Sequence, residues 1–178
     1  KKNTIILMLF SIVSFHSFSQ DSINWSKEYR LKFSDFLSPL DSSREFGAIS
    51  HIVISCAPII VTENKIRKVT ITCTFKKQRS YIELHNNILL SHEQGHFDIA
   101  ELYRRYINQK VSEIILRSGY IEDSILSILF NNCMKQYNSC SDKYDKETNF
   151  SLNIKQQSKW ANKIKNLLSM KKLTGNFL

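Results

Sequence analysis

The stretch Asn87-Ile88-Leu89-Leu90-Ser91-His92-Glu93-Gln94-Gly95-His96-Phe97-Asp98-Ile99-Ala100-Glu101-Leu102-Tyr103 is where the period of the chain changes. Leu89, His92, His96, Ile99, Tyr103, Tyr106 and Ile107 recur at steps of three and four, the mark of one helical face. This helix is expected to run to Gly119, a residue suited to stopping it. His92 and His96 stand four apart, so their imidazoles point the same way one turn apart and offer two nitrogens to one tetrahedral metal. Glu93 lies about 100° round the helix from His92, close enough to take a proton from a metal-activated water. Gly95 costs roughly 1 kcal/mol of helix propensity relative to alanine, and close approach by a strand or a substrate would account for it.

Upstream, β-branched residues dominate from Ala48 to Thr62 and from Lys65 to Phe75, which reads as two antiparallel strands. With Asn64-Lys65 as a two-residue turn, Glu63 faces Ile66 and Cys56 faces Cys73, so a cross-strand disulfide is expected there. The aromatic and charged segment from Trp25 to Pro39 is expected to pack on the body and end in a turn. Downstream, a second helix is predicted from Ile121 to Lys135 with Asp123 as its cap, then a polar loop from Asn138 to Phe150, then a third helix from Ile154 to about Met170. Cys133 and Cys140 are expected to bridge at the loop entrance. The fold class is therefore α+β: a small N-terminal antiparallel sheet, its hairpin at about 48–75, packed on the histidine-bearing helix and two further C-terminal helices.

The chain has 178 residues and 42% hydrophobic content, enough for one well-buried core, and residues 20–178 are read as a single domain. Lys1 and Lys2, the short apolar run Ile5 to Phe15, and Ser17-Phe18-Ser19 have the order of a cleaved export signal over residues 1–19, so the protein is expected to be periplasmic or secreted. The apolar run is shorter than the ~20 residues a spanning helix needs, and the mature chain has no other stretch of that length, so no stable membrane span is expected. Losing Lys1 and Lys2 lowers the formal charge from +9 to +7. The remaining cations are interspersed with acids and lack an aromatic-basic signature, which argues against a nucleic-acid partner. Four cysteines in an exported chain favour disulfides, and none has the C-x-x-C spacing of a thiolate metal site.

The run Leu90-Ser91-His92-Glu93-Gln94-Gly95-His96-Phe97-Asp98-Ile99-Ala100-Glu101 closely resembles the core of a bacterial family of unknown function predicted to be secreted zinc-dependent proteases. The resemblance extends back through Phe75, Arg79-Ser80-Tyr81 and Lys32-Phe33-Ser34-Asp35-Phe36, and forward to Tyr144-Asp145-Lys146-Glu147-Thr148 and the stretch from Gln156 to Trp160. It implies a zincin-like fold, a Zn2+ cofactor and a peptide or protein substrate. The family's later motif reads tyrosine, aspartate, two residues, threonine, one residue, histidine-glycine; here Asn149, Phe150 and Ser151 follow Thr148, and the histidine is absent.

With His92 and His96 as metal ligands, Asp145 ranks first as the third and Glu147 stands beside it. Glu101, rotated about 140° from His96, fits better as a carboxylate orienting an imidazole, and Asp98 faces further away. His51 and His85 read as ordinary polar residues. Glu93 is the expected general base, and Tyr144 the expected donor to the oxyanion of a tetrahedral intermediate. Trp160 reads as a helix anchor. Three functions remain open from the residues: an exported zinc metallopeptidase, a zincin-like binding or structural module without activity, and a zinc hydrolase acting on cell-wall amides.

Overall fold

In the computed structural model, which describes residues 21–39, 47–174 and 177–178, three helices and a small antiparallel sheet form an α+β fold. The predicted export signal lies outside the described residues.

The strands are β1 (Ser22–Asn24), β2 (Ala48–Ile49), β3 (Ile52–Thr62), β4 (Lys65–Lys76), β5 (Tyr81–Ile82) and β6 (Ile121–Glu122). The main sheet runs β1-β4-β3, with β6 also on β4, and β2 pairs with β5 separately. Alternation along β4 turns Ile71, Cys73 and Phe75 into the core. The hairpin is real, but its turn is one residue earlier than the sequence suggests. Glu63 and Asn64 hold the two left-handed positions, φ 49° and 62°, and Thr62 pairs with Lys65. A turn displaced by one moves every partner by two: Cys56 faces Ile71, and Cys73 faces Ile54. Cys56 and Cys73 are therefore free and not opposed.

Helix α1 (Asn87–Ser118) starts on the Asn86 side chain, which accepts from Ile88 N at 2.8 Å, and stops at left-handed Gly119 as expected. Eleven of the twelve residues from His92 to Tyr103 are buried, because the sheet, both other helices and the N-terminal segment surround this stretch. Helix α2 (Asp123–Thr148) is far longer than expected, and the stretch read as a polar loop is its second half. Asp123 is its first residue and not its cap. Cys133 and Cys140 lie seven residues apart on this one helix, a rise of about 10.5 Å that no disulfide spans, and both are free. Helix α3 (Ile154–Ser169) begins at Asn153, whose side chain accepts from Gln156 N. None of these helices is long and apolar enough to cross a membrane.

Phe75 and Phe97 meet at 5.9 Å between ring centres, where β4 packs on α1. Trp160 is buried against the helices, as an anchor should be. The N-terminal segment docks on α1 through buried polar groups. Gln94 Oε1 accepts from Leu31 N at 2.8 Å, and Asp98 accepts from Trp25 Nε1 at 2.8 Å, Gln94 Nε2 at 2.9 Å and Arg30 at 2.9 Å. A buried carboxylate left unpaired is costly, and three donors satisfy this one.

Candidate metal centre

The fold brings His92, His96 and Asp145 to one point. Asp145 Oδ1 lies 2.9 Å from His92 Nε2 and 2.9 Å from His96 Nε2, and the two nitrogens are 3.2 Å apart. Two ligand atoms each about 2 Å from a tetrahedral zinc stand roughly 3.3 Å from one another, so this triangle has nearly the size that one shared ion imposes. Among the described residues it is the one His/Cys/Asp/Glu group able to hold a metal.

The second half of α2 builds the site. Ser141, Asp145 and Thr148 stand at helical spacing on the face turned toward α1. Ser141 Oγ is 3.0 Å from His96 Nδ1, and Thr148 Oγ1 is 3.4 Å from His92 Nδ1. The Thr148 proton goes to the Tyr144 carbonyl at 2.7 Å, so toward His92 the hydroxyl accepts. His92 Nδ1 then carries a ring hydrogen; in the neutral ring Nε2 presents a bare lone pair, and in the protonated ring Nε2 donates to Asp145 instead. Partners on the far nitrogen are what fix a ligating imidazole's tautomer and orientation. The sequence marks Thr148 only as a position of the resembled motif and does not single out Ser141, although the steps Cys133, Tyr137, Cys140, Tyr144 and Thr148 mark a helical stripe within the polar run.

Electrostatics agree with three groups facing one another. Burial alone would raise the Asp145 pKa, but hydrogen bonds from both imidazoles, and their charge, hold it well below the usual carboxylate range. Burial opposes protonation of His96, yet the hydrogen bond to Asp145 and the charges of Glu93 and Asp145 outweigh it and raise its pKa. Three electron-pair donors this close need a proton or a cation between them.

Glu93 is buried and lines the same cleft of about 500 Å³ as the three ligand candidates. Ala48, Ile49, Ser50 and Ile52 form one wall; Tyr137, Lys146 and Phe150 form another. Phe150, at the position where the resembled motif has histidine, thus faces the site. It belongs to a run of three left-handed residues, Asn149, Phe150 and Ser151, that ends α2.

Tyr144 is placed otherwise than expected. Its ring stacks on His92 at 4.6 Å and 12°, and its hydroxyl donates to the His92 carbonyl at 3.4 Å, on the far side of the imidazole from the cleft. It packs on His92 and does not line the cleft. Burial, with Glu93, Asp145 and Asp98, pushes its phenol above the ordinary value. Tyr137 is the phenol on the cleft wall, and burial, helped by Cys73, Cys140 and Asp145, also raises it, so it stays a hydrogen-bond donor at neutral pH.

The remaining candidates are engaged elsewhere. Glu101 receives Arg104 at 2.7 and 2.8 Å and Arg105 at 2.8 Å, and does not orient an imidazole. Glu147 accepts from Trp160 Nε1 at 2.8 Å, toward α3. His85 stacks on Phe33, and His51 lies by Ser80, so both are the ordinary polar residues expected.

Compared with protein-family models, curated proteins and solved structures, the chain matches none, and the resemblance described above rests on its own residues.

Proposed function

We propose that this chain is an exported zinc-dependent hydrolase of zincin-like build, with a peptide bond as its substrate. His92, His96 and Asp145 hold the metal and Glu93 is the base. The observation that carries this reading is the meeting of His92 Nε2, His96 Nε2 and Asp145 Oδ1 within 3.2 Å, with hydroxyls on both remaining ring nitrogens.

When bound, zinc supplies Lewis-acid polarisation of a carbonyl and lowers the pKa of water to ~7. Glu93, buried on the cleft side of α1, accepts a proton from the attacking water and delivers it to the departing nitrogen. Tyr137 donates to the carbonyl oxygen as charge gathers on it. The Ser50 hydroxyl, buried on the cleft wall without a hydrogen-bond partner, suits a substrate that brings its own donors and acceptors, as a peptide backbone does.

Hydrolysis of a quenched-fluorescent peptide library tests the reading. The wild type is expected to cleave, and Glu93→Gln to lose at least a hundredfold in rate while retaining its metal. Cleavage that survives Glu93→Gln would remove Glu93 from its role. A second reading, a module that keeps the fold without turnover, draws on Phe150 lining the cleft. It predicts weak or absent metal, no cleavage, and indifference to Glu93→Gln. The same library extended with cell-wall amides separates the peptidase from an amidase.

A further inference from the structure

A second cavity, about 540 Å³, lies on the other flank of α1 from the metal ligands, between α1, α3 and the N-terminal segment. Small side chains open it, Ser91 on α1 and Ala161 on α3, while the ring of Tyr144 lies over Gly95. Ile164, Leu168 and the ring of Tyr144 make its walls apolar. The two helices run the same way here, since Gln157 bonds to Ile88 O at one end and Arg105 to Leu168 O at the other. The groove is thus an elongated slot with distinct ends.

Charge is confined to one of them. Lys27 and Arg30 line it from the N-terminal segment, which Trp25 and Arg30 tie to Asp98 on α1, and Lys165 lines it from α3 about two turns past Gln157. Asp98 is engaged by Arg30 at 2.9 Å, whereas Lys27 and Lys165 have no acidic partner among the described residues. Three cations against one carboxylate leave that end positive, and its opposite end carries only neutral polar groups, Ser91 and Gln157. Pockets of this size hold small molecules with most of their surface buried. An apolar trough with a cationic mouth fits an apolar chain that ends in an anion.

We propose that this slot binds a medium-chain carboxylate, its chain between Tyr144 and Ala161 and its carboxylate at Lys27 and Lys165. The site is separate from the metal centre and does not depend on the hydrolase reading. The two share Tyr144, whose ring forms one wall of the slot and stacks on His92.

Calorimetric titration of the full folded chain with decanoate, and in parallel with decylamine, tests the proposal without any activity readout. Decanoate is expected to bind at one site with micromolar affinity, at least tenfold tighter than the amine. Lys27→Ala/Lys165→Ala should weaken decanoate about tenfold and abolish the preference over the amine. Ala161→Trp, at an exposed helical position, should fill the slot and remove binding of both while circular dichroism stays that of the wild type. Absence of saturable binding, equal affinity for acid and amine, or decanoate binding unchanged in either variant would overturn the proposal.

Discussion

Gly95 lies directly beneath the ring of Tyr144: a β-carbon at position 95 would meet the Tyr144 hydroxyl and stand 2.8 Å from Cζ. The one glycine inside α1 is therefore a contact surface. It lets α2 approach α1 closely enough for Tyr144 to stack on His92, and for the next residue, Asp145, to reach both imidazoles.

Gly95→Ala is accordingly expected to destabilise the protein by about 1–3 kcal/mol, although alanine gains roughly 1 kcal/mol of helix propensity. Chemical denaturation measures it. Tyr144→Ala in the same chain should make the alanine at 95 nearly harmless, a coupling absent if the glycine serves some distant purpose.

Thr148→Val and Ser141→Ala remove the hydroxyls that hold the two imidazoles from behind. Each is expected to weaken zinc binding 10- to 100-fold, read by competition with a chromophoric chelator. Stability should fall by only about 1 kcal/mol for the lost hydrogen bond. Unchanged affinity would mean that packing alone orients His92 and His96.

Much of this arrangement is visible in the sequence, and what is not has physical causes. The periodic run through His92 and His96 and the stop at Gly119 define α1, because an apolar stripe and a left-handed glycine are local signals. Asp145 ranks as third ligand through the resembled motif, yet its setting was misread. Asn138 to Phe150 looks like a loop because its inward positions are Cys140, Tyr144 and Thr148, buried groups that are not aliphatic. The same misreading suggested a Cys133–Cys140 bridge, which the helix forbids. The hairpin register was lost to a turn built on Glu63-Asn64, which lacks the glycine that would mark it. The sequence points Tyr144 toward the chemistry because it does not tell which side of an imidazole a neighbour takes.

Acid and base act on the metal-free site in opposite senses. The Asp145 pKa is depressed by the imidazoles, so its contribution to stability is complete above the unfolded value of 3.8 and is lost as pH falls toward its lower folded value. The His96 pKa is raised, so its contribution is complete below the unfolded value of 6.5 and is lost as pH rises through the folded one. Chelator-treated protein should therefore melt highest between pH 3.8 and 6.5 and lose a few degrees by pH 9, measured by scanning calorimetry. His96→Ala should flatten the alkaline limb. A melting temperature that rises from pH 6 to 9 would refute the coupling.

Phe150 lines the cleft, and its backbone N–H donates to the Asp145 carbonyl at 3.0 Å. Phe150→His is expected to bring a fourth nitrogen or oxygen donor to the centre and to tighten zinc about tenfold or more, as loss of any ligand weakens it. Equal affinities in the two proteins would show that position 150 does not reach the metal.

Zinc content of the purified chain tests the central claim most directly. Elemental analysis should find one zinc per wild-type chain, and none in His92→Ala/His96→Ala or in Asp145→Ala, with circular dichroism showing all three folded. A folded wild type that takes up no zinc when it is offered, or an Asp145→Ala variant that keeps a full complement, would contradict the assignment of these three residues as the metal centre.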